Sequence, residues 1–172
     1  MICHNEVRNF FGELTSEVCQ NVALEPVLTP LDSEQFHLRT TSTDNAARLD
    51  IKAGGFWSGS LFDTTFFDVQ VFNPFVVSCG AAPTLAARYR RQELMKKRQY
   101  EQRLREVEGG SFTPLVFSTT GGAGPQASQA MKRLASLLAT KRDVLYSRTV
   151  AWLRCRLSFP LLRASIFCVR GA

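Results

Sequence analysis

Apolar residues recur along this chain with two different periods, and the switches between them mark out its elements. From residue 5 to residue 20, Val7, Phe10, Phe11, Leu14 and Val18 fall three or four apart, the spacing of one face of an amphipathic helix. Residues 22–28 (VALEPVL) predict a short strand, and Pro26, which lacks a backbone donor, favours an edge position. Residues 29–46 are polar and rich in Ser, Thr and Asp, so a loop is expected. Two strand patterns follow, 47–52 (ARLDIK) and 65–72 (TFFDVQVF), and the second ends on the turn signal Asn73-Pro74. The stretch between them, AGGFWSGSLFDT, carries three glycines and predicts a loose hairpin connection. Residues 75–83 predict an irregular loop.

Helical spacing returns from Thr84 to Glu108, a long segment dense in Arg, Lys, Glu, Gln, Leu and Met, all good helix formers. Thr84 suits its N-cap and Gly109-Gly110 its stop. Residues 112–118 (FTPLVFS) predict a buried strand, followed by a glycine-rich turn over 119–124. Pro125 opens a helix to about Arg142, and a second apolar-basic helix is expected over 144–156. The tail from Ser158 to Val169 predicts a final helix broken near Pro160. No internal repeat or heptad array appears. The order is helix, three strands, long helix, strand, then two or three helices. It predicts an α/β protein with an α+β mixed sheet flanked by helices. A core over residues 1–142 is expected, with 143–172 as a helical extension packed on it.

Composition narrows this reading. At 172 residues with 45% apolar content, the chain is long enough to bury a core without staples. No apolar run reaches the roughly 18–20 residues that a membrane helix needs, and the N-terminus has no signal-peptide pattern. The five cysteines are odd in number and form no CxxC pair, which points to free thiols in a reducing, intracellular compartment. Charge is segregated. Residues 1–85 hold four Lys/Arg against ten Asp/Glu, a balance of −6; the remainder holds seventeen against five, a balance of +12, within a net +6. Such a division suits a protein that gathers cations at one place and meets phosphates at another; solvated helix faces would give the same count.

Candidate chemistry starts from two acids set in apolar strand patterns, Asp50 in Leu49-Asp50-Ile51 and Asp68 in Phe67-Asp68-Val69. A carboxylate inside a buried strand is costly unless something pairs with it. Two on consecutive strands repel each other unless a cation lies between them, and oxygen ligands suit a divalent metal. The alternative is that each caps a turn or pairs with an arginine such as Arg48. On the long helix, Lys96, Lys97 and Tyr100 (KKRQY) place a lysine and the tyrosine on one face. A lysine there can stabilise charge on a phosphoryl group, or simply be solvated. His4 and His37 have no ligand-type spacing and are expected to be structural or at the surface. Ser111 and Ser118 lack a GxSxG context. Gly121-Gly122-Ala123-Gly124 lacks the lysine and spacing of a phosphate-binding loop and predicts a plain strand-to-helix turn.

Taken in order, Arg48-Leu49-Asp50-Ile51, Phe67-Asp68-Val69-Gln70-Val71, Lys96-Lys97-Arg98-Gln99-Tyr100 and Phe112-Thr113-Pro114-Leu115-Val116 resemble the restriction-like endonuclease domain found downstream of reverse transcriptase in certain non-LTR retrotransposons. That domain is a variant of the PD-(D/E)XK nuclease fold. His4-Asn5-Glu6 also looks like the start of the helix that precedes its core. The resemblance spans residues 4–142. It implies DNA cleavage with Mg²⁺ or Mn²⁺, no small-molecule cofactor, no membrane partner and a nuclear location. It makes Asp50 and Asp68 metal-binding acids, and Lys96 or Lys97 the cation, with Tyr100 beside it. Glu17, or else Glu6, would be a further metal ligand. Leu49 stands where the family has proline, and Gln70 stands at the strand lysine. With no polymerase domain ahead of it, the chain is expected to be an isolated or truncated copy, active or inactive.

Overall fold

A computed structural model describes residues 2–29, 48–60, 62–75 and 84–170, with side chains described from His4 to Ile166. The elements run α1 (Ile2–Val18), β1 (Gln20–Leu24), β2 (Ile51–Gly54), β3 (Thr64–Phe72), α2 (Leu85–Glu106), β4 (Ser111–Ser118), α3 (Pro125–Arg142) and α4 (Tyr146–Arg170). The four strands form one mixed sheet in the order β1-β2-β3-β4. Each of the first three pairs antiparallel with its neighbour, while β3 and β4 run parallel across the α2 crossover.

Alternation along β3 sorts its side chains to two faces. Phe67 and Val69 join Val7, Phe11 and Leu14 of α1, Leu134 and Leu138 of α3, and Leu153, Leu157 and Leu161 of α4 in the main core. Phe66 turns the other way, where Tyr100 and Leu104 of α2 pack over it with Phe112 of β4. Phe72 joins Tyr89 and Val116 further along that face. The sheet is thus covered by α2 on one side and by three helices on the other.

Several boundaries move from their predicted places. Helix α1 stops at Val18, because Gln20 already opens β1. Asn21 adopts a left-handed conformation (φ +51°) at the irregularity where β1 slips register against β2. Pro26 lies past β1 rather than in it, beyond a second left-handed turn at Glu25 (φ +50°). Strand β2 begins at Ile51, so Asp50 sits at a bend one residue ahead of it and not within a strand. The β2–β3 connection is no loose loop throughout. Phe56 is fully buried, Trp57 Nε1 donates to Thr113 Oγ1 (3.2 Å), and Arg133 Nε donates to the Phe56 carbonyl (2.8 Å).

Thr84 caps α2 as expected, its hydroxyl accepting from Ala87 N–H, and Gly109 (φ +63°) follows the helix end. The chain reverses between α3 and α4 through Asp143 (φ +50°). The break predicted near Pro160 does not occur, for α4 runs unbroken through it. Proline in a helix interior costs about 3 kcal/mol, but Pro160 is buried between Leu157 and Leu161, whose burial holds the helix on the core. Helix α4 shares one apolar cluster with α1, α3 and the sheet, so it is part of the same core. Cys19 and Cys155 are free thiols. Among the described residues no helix is long and apolar enough to cross a membrane. The loops predicted over 29–46 and 75–83, and His37 with them, fall almost wholly outside the described residues.

Candidate active site

Strand β3 outruns β2. Their ladder ends at Ile51–Phe67, whereas β3 continues to Phe72, so among the described residues no strand pairs with its second half on that side, a notch in the sheet. One step further along the same register, Asp50 comes opposite Asp68. The side chain of Asp50 replaces the missing rung there. Its Oδ2 accepts the Val69 N–H at 2.6 Å, while its backbone N–H donates to the Phe67 carbonyl (3.2 Å) and its carbonyl accepts from Glu25 (2.9 Å).

His4, in the first turn of α1, reaches the same carboxylate. Its Nε2 lies 3.1 Å from Asp50 Oδ2, and its Nδ1 faces Asn5 Oδ1 at 3.2 Å. Both ring nitrogens point at oxygen acceptors, an arrangement that only the doubly protonated imidazolium satisfies with two donors. The hydrogen bond to Asp50 raises the His4 pKa above the usual histidine value, against the opposing effect of desolvation. The sequence reading gave His4 a structural or surface role. Its partner is remote in sequence, and the one available signal was the resemblance of His4-Asn5 to the start of the helix before a nuclease core.

Asp68 points to the α2 face of β3. Burial pushes its pKa up, the nearby Lys96 charge pulls it down, and the charge of Asp50 pushes it up again. Lys96 Nζ stands 2.7 Å from Asp68 Oδ2. Lys97, one residue and about 100° further round the helix, pairs instead with Glu101 at 3.8 Å. Of the two lysines in KKRQY, Lys96 meets the acid. Tyr100, one turn on, is buried against Phe112 (5.6 Å between ring centroids) with the Lys96 ammonium 5.8 Å from its ring centre. Its hydroxyl accepts from Gln99 Nε2 at 2.9 Å. Burial first, then the charges of Asp68 and Asp50, push the Tyr100 pKa up to about 12. Both carboxylates therefore act on the same phenol.

Gln70 occupies the same face two residues after Asp68. Its Nε2 donates to Gln92 Oε1 (2.9 Å), while its Oε1 is buried without a hydrogen-bond partner among the described residues. Asp68 Oδ2 likewise has no aligned hydrogen-bond donor there besides the Lys96 charge. Asp68 and Gln70 thus each leave a buried oxygen on the α2 face of β3, with Asp50 opposite Asp68 in register, and carboxylate and amide oxygens are the donor type that a hard divalent ion takes. Mg²⁺ commonly takes one or two carboxylates and completes its shell with water and substrate phosphate. The donors present fit that pattern. They do not make an all-protein cage, for among the described residues no three or more His, Cys, Asp or Glu side chains gather as metal ligands.

Glu17 does not belong to this place. It lies thirteen residues after His4, about 20 Å along α1, and its carboxylate takes Arg142 Nη2 at 2.7 Å and Nε at 3.1 Å. The expected metal-ligand role of Glu17 is corrected accordingly. Glu6 pairs with Arg163 of α4 at 2.6 Å. The glycine-rich turn before α3 is filled by the protein itself: Glu93 Oε1 accepts the Gln126 N–H (2.8 Å) at the helix start, where a phosphate would otherwise bind. Beside it, Tyr89 donates to Ser118 Oγ at 2.7 Å. No protein-family model matches this chain, and no curated protein matches it.

Proposed function

We propose that this chain is a restriction-endonuclease-like domain of the non-LTR retrotransposon type, hydrolysing DNA phosphodiester bonds with Mg²⁺ or Mn²⁺ held by Asp50 and Asp68. The observation that carries this reading is the 2.7 Å approach of Lys96 to Asp68. The strand offers Gln70 where the resemblance leads one to expect lysine, and α2 brings an ammonium to the same carboxylate. The helix, three strands, helix, strand order supports it as well.

A divalent ion bound by these acids would lower the pKa of a bound water and shield the phosphoryl charge. Asp50 is fixed for that task by Val69 N–H and His4. Lys96 supplies the fixed positive charge on which a phosphoryl group depends as negative charge develops. Tyr100 anchors its turn of α2 on Phe112, which holds Lys96 over the strand.

The test is plasmid nicking by the purified protein with Mn²⁺. Wild type is expected to convert supercoiled to open circular DNA, and Asp68→Ala and Lys96→Met to lose about 100-fold or more. Nicking that survives Asp68→Ala removes the assignment.

A second reading is favoured by the charge distribution. Arg90, Arg98 and Arg105 are exposed on α2, in the half with a balance of +12. A catalytically inactive relic that binds nucleic acid through this half would show metal-independent binding without cleavage. Its affinity would fall steeply with salt through counterion release. Equal affinity at low and moderate salt excludes it.

A further inference from the structure

Both acids of the candidate site are already engaged by the protein's own donors, and the two engagements differ in kind. Asp50 Oδ2 accepts the Val69 N–H at 2.6 Å and faces His4 Nε2 at 3.1 Å. The first of these carries the sheet past the end of its β2–β3 ladder, so giving it up would leave a backbone donor unpaired. Asp68 Oδ2 has the Lys96 ammonium at 2.7 Å, but among the described residues no hydrogen bond is aligned on this buried oxygen. Charge alone holds the lysine there, and no backbone group depends on it.

Lys96 also has a second place to stand. Its side chain is 24% exposed, and its ammonium lies 5.8 Å from the centre of the Tyr100 ring, within reach of a cation–π contact. Tyr100 is packed on Phe112, so this turn of α2 stays in place while the lysine side chain swings. Lys97 is held apart from the acids by Glu101. A divalent ion on the oxygen that holds the ammonium would be a like charge within about 5 Å of it. In so buried a place water screens that repulsion poorly. Asp68 cannot serve both cations at full strength.

We infer that Lys96 is a built-in competitor of the divalent ion: it occupies Asp68 until the ion displaces it, and so holds metal affinity down in the DNA-free protein. The inference rests on the nuclease reading above and adds a control on its metal site. The same ammonium, once displaced, is the cation left over for a substrate phosphate.

Two measurements on the full chain, both without DNA, test this. In the first, Mn²⁺ affinity is read from the electron paramagnetic resonance of the free ion. Lys96→Met is expected to bind Mn²⁺ at least about tenfold more tightly than wild type, although its nicking falls. Lys96→Arg, which keeps the cation, is expected to gain nothing. Without the lysine Asp68 holds its proton more tightly, so the comparison is made at about pH 8.5, where protons compete least. The second measurement needs no variant and decides the matter if Lys96→Met fails to fold. Wild type is labelled with acetic anhydride and read by mass spectrometry. Mn²⁺ is expected to raise acetylation of Lys96 at least about threefold relative to Lys97, since an ammonium moved from a carboxylate to the neighbourhood of a dication yields its proton more readily. Equal or weaker Mn²⁺ binding by Lys96→Met, or bound Mn²⁺ with unchanged Lys96 labelling, overturns the inference and leaves the nuclease reading standing. Failure of wild type and Lys96→Met alike to bind Mn²⁺ overturns both.

Discussion

At Asp68, burial favours the protonated acid while the Lys96 ammonium at 2.7 Å favours the charged one, and burial prevails. Removing the lysine with Lys96→Met leaves burial unopposed, so the Asp68 pKa rises further. A carboxyl whose folded pKa exceeds its unfolded value contributes stability below the unfolded pKa and loses it as pH rises through the folded one. The variant is therefore expected to be about 3 kcal/mol less stable than wild type at neutral pH. The deficit should shrink as acid neutralises Asp68, and urea melts across the acid range check this. Tyr100 gives an independent reading of the same cluster. In a spectrophotometric titration, the component near 12 is expected to vanish in Tyr100→Phe and to move toward the ordinary tyrosine value in Asp68→Asn. No movement in Asp68→Asn would mean that the carboxylate does not act on the phenol. Asp50 and Asp68 were legible because each interrupts an apolar strand pattern. The choice between Lys96 and Lys97 was not, since one residue changes a helical direction by about 100° and the sequence does not say how α2 is rotated on the sheet. His4 was hidden because it stands 46 positions from Asp50 in the chain.

Elements with a period and local stop signals were found nearly in place. Thr84 and Gly109 bracket α2, and Pro125 opens α3. The errors fall where a long-range contact overrides a local rule. Pro160 reads as a breaker, yet burial between core leucines carries α4 through it. Strand β2 reads longer than it is because its ladder with β3 ends at Ile51–Phe67, and past that point it is the Asp50 side chain that takes the Val69 N–H. Helix α3 shows the same dependence at its start. Gly124 offers no side-chain cap, and Glu93 of α2 supplies one from across the fold. Glu93→Ala is expected to lower stability by about 1–2 kcal/mol, the cost of a lost N-cap, as read by urea denaturation. An unchanged midpoint would show that solvent caps the helix equally well.

At the scale of the whole molecule, the sequence reads residues 143–172 as an extension packed on the core, and Leu153, Leu157 and Leu161 of α4 join the cluster begun by Val7 and Phe11 of α1. A chain ending at Arg142 is expected to expose that cluster, to aggregate on expression and to lose its cooperative melt. Recovery of a soluble, cooperatively melting fragment would show that the first seven elements stand alone. The notch between β2 and β3 has a different consequence. Asp50 fastens the sheet through Val69, so folding alone gives a lineage reason to retain it, whatever the site does. Asp68 ends no ladder, and its burial is offset chiefly by the Lys96 ammonium. Were the proposed nuclease activity lost in a lineage, Asp68 would be free to drift together with Lys96, and Asp50 would be kept as a fastener of the sheet.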